Sequence, residues 1–221
     1  MAAAAAALQA EKKALRKSMA VALRAISPTS IQDQSRALTA RVLALPLLAP
    51  AQSVGCFLSM PTGEPDTAGL AHAILRAGKA LYVPKIDPAA GRMDLLRVYD
   101  AADLDALPSG VWGIREPERV RADGVLRASA IETGLDVLLV PGLAFDRSFA
   151  RLGHGKGYYD RFITAYAEAH RRPPILVALA LREQLLDSQT VPMGAHDWKM
   201  QHIITHEHTS TRADDSDVQR E

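Results

Sequence analysis

The chain has 221 residues, of which 48% are hydrophobic, so it is long enough for one substantial core. Its 26 Lys and Arg residues nearly balance its 25 Asp and Glu residues, which excludes a general electrostatic attraction to nucleic acid or to anionic membranes. The single cysteine, Cys56, excludes an intramolecular disulfide framework and fits a reducing compartment. No apolar run reaches the roughly 20 residues that span a bilayer, so we expect a soluble protein without membrane partners. We also expect a cytoplasmic monomer without nucleic-acid partners.

The basic start of the chain leaves two interpretations open. A mitochondrial presequence has this charge pattern, with many basic and few acidic residues. However, Leu15, Met19, Leu23 and Ile26 recur at helical spacing, as in an amphipathic helix that packs on a folded domain. The spacing favours the folded helix, and a mitochondrial location stays open.

We expect one folded domain over residues 8–207. The oligo-alanine at residues 2–7 and the polar tail from about Thr209 lack apolar residues with a useful period. Segments 1–7 and 208–221 are therefore predicted to be frayed or disordered ends.

The remaining elements are predicted from apolar periodicity and from the residues at their ends. In chain order they are a helix over 27–45, a strand over 53–60, a helix over 65–79, strands over 80–85, 93–99 and 135–142, a helix over 154–170 and a strand over 173–180. A strand, a helix and a strand in succession form a βαβ unit, whose two strands should be parallel. The pattern predicts an α/β fold, a single-domain sandwich in which helices flank a largely parallel sheet.

A glycine-rich stretch, RLGHGKGYYDRF, leads from a predicted strand into a predicted helix. Gly153, Gly155 and Gly157 alternate with other residues there, and glycine lets the backbone approach a ligand closely. The free N–H groups and the positive dipole end of the helix attract anions, and the side chains of Arg151 and Lys156 can add positive charge. The stretch therefore predicts a phosphate-binding loop at the carboxyl end of a strand.

Known phosphate motifs do not match this loop. A Walker loop has Ser or Thr after its lysine, whereas Gly157 follows Lys156, and a dinucleotide fingerprint needs glycine in place of Tyr158. The residues alone therefore leave a glycine-rich turn with solvated charges as an alternative.

Three acidic residues could complete a site. Glu64 follows a predicted strand, where a carboxylate can hold a polar ligand group. Asp160 and Asp197 are candidate Mg²⁺ ligands, because Mg²⁺ in proteins usually takes one or two carboxylates with phosphate oxygens and waters. Taken singly, each of them is more often a surface residue or a helix cap. The seven histidines lack the spacing of a zinc site, and no nucleophile elbow is visible.

Several ordered stretches of the sequence together carry a resemblance to a known family. They are KKALR, FLSMPTGEPDT, VWGIREP, ALALREQ, HDWKMQHIIT and, as the most specific, PGLAFDRSFARLGHGKGYYDRF. On these stretches the chain resembles the 5-formyltetrahydrofolate cyclo-ligase family, from its first helix to about Thr205. The resemblance implies a fold like that of sugar-phosphate isomerases and CoA transferases. It also implies an ATP- and Mg²⁺-dependent ligase that converts 5-formyltetrahydrofolate to 5,10-methenyltetrahydrofolate, ADP and phosphate through a phosphorylated formyl intermediate.

The same resemblance implies roles for individual positions. It implies ATP binding by Lys12, Arg16, Arg151, Gly153, His154, Gly155, Lys156, Gly157, Tyr158 and Tyr159. It implies substrate binding by Leu58, Met60, Glu64, Trp112, Tyr158 and Tyr159, catalysis by Lys156, Arg151 and Tyr158, and Mg²⁺ binding by Asp160 and Asp197. The chain departs from the pattern at His154, where some relatives have arginine, and at Gln201, where relatives often have a second aspartate.

Two other functions are open at this point. A non-catalytic member of the same fold could bind nucleotide or RNA, although Lys156, Glu64 and Asp160 are retained and the charge is balanced. A different sugar-phosphate or acyl-transfer enzyme could use the same fold, because a fold alone does not fix function. A reaction that does not depend on ATP would favour the second of these.

Overall fold

The computed structural model describes residues 2–110 and 113–213 of the chain. Within these ranges the strands are β1 (Ser53–Gly55), β2 (Ala80–Asp87), β3 (Arg92–Val98), β4 (Val137–Val140), β5 (Ala144–Asp146), β6 (Arg151–Leu152), β7 (Ile175–Leu179), β8 (Leu185–Leu186), β9 (His202–Ile204) and β10 (Thr209–Thr211). The helices are α1 (Ala2–Arg24), α2 (Pro28–Leu43), α3 (Ala68–Arg76), α4 (Ala101–Asp105), α5 (Ala130–Thr133) and α6 (Tyr158–His170), with a 3₁₀ turn at Arg182–Gln184.

Seven of the described strands form one sheet in the order β10-β9-β7-β4-β1-β2-β3. Strands β9, β7, β4, β1 and β2 are mutually parallel, whereas β10 and β3 are antiparallel to their neighbours at the two edges. Val54 of β1 pairs with Leu81 of β2 on one side and with Val137 of β4 on the other. The predictions of a largely parallel sheet and of a parallel β1-α3-β2 unit are confirmed.

Helices cover both faces of this sheet. On one face α2, α3 and α4 pack in a cluster that includes Leu70 and Leu139. On the other face α5 and α6 pack in a second cluster that includes Ile163 and Leu138. Because successive side chains of a strand point to opposite faces, the neighbours Leu138 and Leu139 of β4 enter different clusters. This two-sided burial explains the continuous apolar run from which β4 was predicted.

Helix α1 packs beside a smaller sheet, in which β5 pairs with β6 and β8. Met19 and Leu23 are buried in a third cluster with Leu152, and Leu15 and Ile26 pack against that cluster. The amphipathic stripe predicted for the first helix is therefore confirmed as a packing surface of the folded domain. No helix among the described residues is long and apolar enough to cross a membrane.

The two ends of the domain differ from the prediction. Helix α1 begins at Ala2, so residues 2–7 are helical where we expected frayed or disordered chain. Alanine has the highest helix propensity of all residues, which lets the helix continue to this point. The predicted tail over 208–221 also contains strand β10, which pairs with β9. Met1 and residues 214–221 lie outside the described residues.

Strand β1 is shorter than the predicted range of 53–60. It ends at Gly55, where an added Cβ would lie 2.8 Å from the side chain of Leu138. The chain then leaves the sheet in an irregular segment, which is held where the Thr67 hydroxyl donates to the carbonyl oxygen of Phe57 at 2.7 Å. Because this segment leaves the sheet, its side chains are free to line a cavity.

Candidate active site

A cavity of about 120 Å³ opens at the carboxyl ends of β1 and β4, next to β2. Its walls come from the segment after β1, the β2–β3 hairpin, the chain around residue 115 and the glycine-rich loop before α6. The lining residues are Phe57, Leu58, Met60, Glu64, Pro84, Ile86, Met93, Ile114, Arg115, Glu116, Pro141, Arg151, Gly153, His154, Lys156, Gly157, Tyr158, Tyr159 and Asp160. The predicted loop and Glu64 both line this one cavity. It lies at the edge of the sheet where ligands of open α/β sheets bind.

One part of the cavity wall combines apolar side chains with a buried carboxyl group. Leu58 and Met60 line the wall, and Glu64 is only 5% exposed. Glu64 Oε1 accepts the backbone N–H of Met60 at 2.5 Å. Burial raises the pKa of the Glu64 carboxyl to about 7, and the hydrogen bond from Met60 offsets only part of that rise. Trp112, which was predicted for the same wall, lies outside the described residues.

Another part of the wall is the glycine-rich loop, which runs from β6 to Gly157, the N-cap of α6. Gly155 has φ +103° and Gly157 has φ +68°, values that side chains of L-residues rarely adopt. An added Cβ on Gly157 would also lie 2.9 Å from the Arg161 guanidinium. The first N–H groups of α6 therefore adjoin a backbone that only glycine fits well, the arrangement predicted for phosphate binding.

Arg151 fixes a positive charge at the base of this loop. Its side chain is 4% exposed and pairs with Asp160 Oδ2 at 2.7 Å. The guanidinium also donates to the carbonyl oxygen of Pro141 at 3.3 Å and lies 5.8 Å from the centre of the Tyr159 ring. Arg151 is therefore held from three directions, and it supplies charge at a fixed point of the cavity.

More basic groups surround the loop at its exposed side. Lys156 is exposed and has no hydrogen-bond or ion-pair partner among the described residues. Arg16 of α1 donates from Nε to the carbonyl oxygen of Gly153 at 2.9 Å, which ties the first helix to the loop. Partial desolvation of the His154 ring, and after that the charges of Arg151 and Arg16, lower the pKa of His154. These groups leave uncompensated positive charge beside the loop, as an anion site requires.

Both residues predicted to bind magnesium are paired with basic side chains. Asp160 pairs with Arg151, and Asp197 pairs with Lys12 of α1. Asp160 Oδ1 also accepts the backbone N–H of Trp198 at 3.2 Å, so the two carboxylates belong to adjoining parts of the chain. Among residues 2–110 and 113–213, no group of three or more His, Cys, Asp or Glu side chains could hold a metal. Carboxylate oxygens suit Mg²⁺, but an ion bound here needs most of its ligands from phosphates and water.

Sequence reasoning missed several residues of the cavity. Ile86 and Met93 come from the two strands of the β2–β3 hairpin, and the chain around residue 115 adds Glu116, which is 7% exposed. Burial raises the pKa of Glu116, and Lys85 at 3.8 Å opposes that rise. Glu116 lies within VWGIREP, a stretch that the resemblance contained, but its burial has no signal in a single sequence. Gln201 has a structural contact, since its Oε1 accepts the backbone N–H of Leu176 at 2.7 Å.

The fold and the cavity define an α/β enzyme that binds its ligands at the carboxyl edge of a parallel sheet. The model of the 5-formyltetrahydrofolate cyclo-ligase family matches residues 8–206. The chain therefore belongs to the 5-formyltetrahydrofolate cyclo-ligase family, and it is an enzyme of the ligase class.

Individual relatives cover nearly the whole chain. The chain is 32% identical over 194 residues to 5-formyltetrahydrofolate cyclo-ligase of Mus musculus, which covers 87% of this chain and 92% of the relative. It is 34% identical over 195 residues to the probable 5-formyltetrahydrofolate cyclo-ligase of Caenorhabditis elegans, covering 87% and 91%. The solved structure of Aquifex aeolicus 5,10-methenyltetrahydrofolate synthetase is similar with a TM-score of 0.72 and 28% identity, covering 90% of this chain and 92% of that one.

Proposed function

We propose that the chain converts 5-formyltetrahydrofolate to 5,10-methenyltetrahydrofolate and couples this ring closure to the conversion of ATP to ADP and phosphate. One observation carries the proposal. A single cavity is lined by apolar side chains, by the buried Glu64 carboxyl and by a glycine-rich loop whose Lys156 has no partner among the described residues. Such a cavity suits an aromatic ligand with polar ring atoms beside a phosphate group. The relatives, named as a 5-formyltetrahydrofolate cyclo-ligase and a 5,10-methenyltetrahydrofolate synthetase, support the folate substrate and the direction of the reaction.

The reaction needs activation because a formyl amide is a poor electrophile. In the proposed sequence the formyl oxygen attacks the γ-phosphate of ATP, the bond to ADP breaks, and an imino phosphate forms. Nitrogen 10 then bonds to the formyl carbon and loses its proton, and the C–O bond breaks to release phosphate. Phosphoryl transfer of this kind depends chiefly on positioning and on neutralisation of the phosphate charge.

The phosphate end of the cavity supports both requirements. Arg151 is fixed by Asp160 and by the Pro141 carbonyl, so we assign it to the transferred phosphate group. Lys156 has no competing partner among the described residues, and it can follow the phosphate as charge develops. We assign further ATP contacts to the backbone of Gly153, Gly155 and Gly157 and to the side chains of Lys12, Arg16 and His154.

The folate end of the cavity supports binding of the pterin ring. Leu58 and Met60 offer apolar contact, and Glu64 in its ionised form accepts hydrogen bonds from ring N–H groups. Tyr158 and Tyr159 also line the cavity, and we assign them to both substrates. This arrangement would place the formyl group next to the transferred phosphate.

Asp160 and Asp197 are the residues that would hold Mg²⁺, which when bound supplies charge neutralisation to the ATP phosphates. We expect Asp197→Asn to weaken MgATP binding at least about fivefold, because it removes one anionic oxygen donor. Metal-free ATP should bind as tightly as before or more tightly, because Lys12 loses its carboxylate partner. Calorimetric titration with ATP in the presence of Mg²⁺, and again in the presence of EDTA, measures the affinities for MgATP and for metal-free ATP. Equal weakening of the two forms of ATP would contradict a metal role for Asp197.

The proposed function is tested by an absorbance assay on the purified protein. The protein is mixed with 5-formyltetrahydrofolate and Mg²⁺, with and without ATP, and the near-ultraviolet band of the conjugated methenyl product is followed. A band that grows only with ATP, in step with ADP, is the expected result. A band that grows equally without ATP would favour another acyl-transfer reaction, and no band from folded protein that binds ATP would favour the non-catalytic alternative.

A further inference from the structure

A buried glutamine links two backbone segments that adjoin the cavity wall. Gln184 is the last residue of the 3₁₀ turn and is 0% exposed. Its Oε1 accepts the backbone N–H of Leu181 at 2.8 Å. Its Nε2 donates to the carbonyl oxygen of Gly142 at 2.6 Å and to that of Gly63 at 3.3 Å. The two N–H groups of the amide therefore have acceptors on two different segments of the chain.

Each of these two carbonyl groups is next to a residue that lines the cavity. Gly63 directly precedes Glu64, whose carboxyl folds back onto the backbone of Met60. Gly142 directly follows Pro141, whose carbonyl oxygen accepts a hydrogen bond from Arg151. The carboxamide of Gln184 thus joins the segment that carries Glu64 to the segment that holds Arg151.

Both glycines occupy backbone positions where a side chain would fit poorly. Gly63 has φ +84°, and an added Cβ on Gly142 would lie 2.8 Å from the ring of Phe145. The turn that carries Gln184 is itself anchored to α2, because Gln34 Oε1 accepts the backbone N–H of Arg182 at 2.8 Å. One side chain on an anchored turn therefore bridges the two glycine carbonyls.

We propose that Gln184 is a positioning residue that sets the Glu64 loop, residues 60–64, against the Pro141–Gly142 segment and thereby sets the affinity for the folate substrate. This inference rests on the proposed function of the cavity. Gln184 is fully buried, so it acts through the backbone of Gly63 and Gly142. The longer of its two donor contacts is the one to the Glu64 loop, so a weakened amide releases that loop first.

The test compares Gln184→Met and Gln184→Glu with the unchanged protein. Methionine keeps the length of the side chain and removes both donors, whereas glutamate keeps the acceptor for Leu181 and removes at least one donor. In both variants we expect KM for 5-formyltetrahydrofolate, and its calorimetric Kd without ATP, to rise about tenfold, the equivalent of one lost buried hydrogen bond. KM for ATP should change less than about twofold.

A matched control loses buried hydrogen bonds at a residue that does not line the cavity. Tyr166→Phe removes a hydroxyl that donates to the Leu135 carbonyl oxygen at 2.9 Å and accepts the Leu135 N–H at 2.6 Å. It should lower the melting temperature as the Gln184 variants do and leave the folate Kd unchanged. If the folate Kd rose as much in this control as in the Gln184 variants, the effect of Gln184 would be a general loss of stability. That result would overturn the proposal.

A double-mutant cycle tests whether Gln184 affects folate binding through the Glu64 loop or independently of it. In a Glu64→Gln background, Gln184→Met should change the folate Kd less than about twofold, because the contact that it positions is already gone. The proposal would be overturned by additive effects of the two substitutions, by an unchanged folate Kd in a folded Gln184 variant, or by failure of both Gln184 variants to fold. If the unchanged protein binds folate but forms no product, the proposed function fails while the Kd comparison still decides the role of Gln184. If it binds no folate, both fail.

Discussion

Replacing Lys156 with alanine is expected to lower kcat of the ATP-dependent ring closure by about 10²–10³-fold while the protein stays folded. The side chain is exposed and has no partner among the described residues, so its removal leaves no buried group unpaired. Its charge matters most when the phosphate is transferred, because the neighbouring Arg151 is already paired with Asp160. Single-turnover measurements with saturating ATP and folate give the rate of the chemical step directly.

Lys13→Ala is the matched control for this prediction. Lys13 is an exposed lysine of α1 that does not line the cavity, so its removal changes the net charge by the same amount. We expect its kcat to stay within about twofold of the unchanged protein, since an exposed charge that does not line the cavity is largely screened by salt. A folded Lys156→Ala protein with the kcat of the Lys13→Ala control would exclude Lys156 from phosphoryl transfer.

Much of the fold could be predicted because burial leaves a pattern in the sequence. Strand β4 is buried on both faces, and its run of apolar residues is the direct result. Ser27 accepts the N–H of Ser30 at the start of α2, as its position before Pro28 predicts. The carboxyl ends of parallel strands share one edge, so Glu64 and the glycine-rich loop, which each follow a predicted strand, could be expected at the same edge of the sheet.

Elements held by other parts of the molecule could not be predicted. Strands β5, β6 and β8 have two or three residues each, too few for an alternating pattern to appear. The hairpin of β5 and β6 also depends on Phe149, which has φ +65° although it is not glycine. Asp146 holds that turn by accepting the N–H groups of Ser148 and Ala150. Such contacts exist only after the chain has folded, so a short strand of this kind is visible only in the structure.

The charge pairing of the site could not be predicted for the same reason. The resemblance implied that Lys12 binds ATP and that Asp197 binds Mg²⁺, yet the two residues are 185 positions apart and form an ion pair. Arg151 and Asp160 form a second pair of this kind. A residue-by-residue reading treats these four residues as separate contacts. The structure shows two coupled pairs, so a change at either acid also changes the environment of its base.

Glu64→Gln is expected to stabilise the free protein at pH 8 and to weaken folate binding. Burial raises the pKa of the Glu64 carboxyl from its ordinary value of 4.5 to about 7. Between these pH values the folded protein keeps a proton that the unfolded chain has lost, so stability falls as pH rises from about 4.5 to about 7 and then levels off. The full difference corresponds to about 3 kcal/mol at pH 8, and glutamine, which does not titrate, avoids it.

Urea unfolding at pH 5 and at pH 8 measures this effect. The gain in the free energy of unfolding from Glu64→Gln should be large at pH 8 and small at pH 5, whereas Glu168→Gln, at an exposed carboxylate of α6, should show no such difference. An equal gain at both pH values would contradict the raised pKa.

Folate binding should show the opposite trend with pH. The ionised carboxylate accepts hydrogen bonds from the pterin ring, so affinity should rise as pH passes through about 7 and then level off. In Glu64→Gln the affinity should be at least about tenfold lower at pH 8 and independent of pH in this range. We therefore expect Glu64→Gln to be more stable than the unchanged protein and to bind folate more weakly. The buried Glu64 charge is costly in the free protein, whereas the N–H groups of the pterin ring supply hydrogen bonds to it when folate is bound.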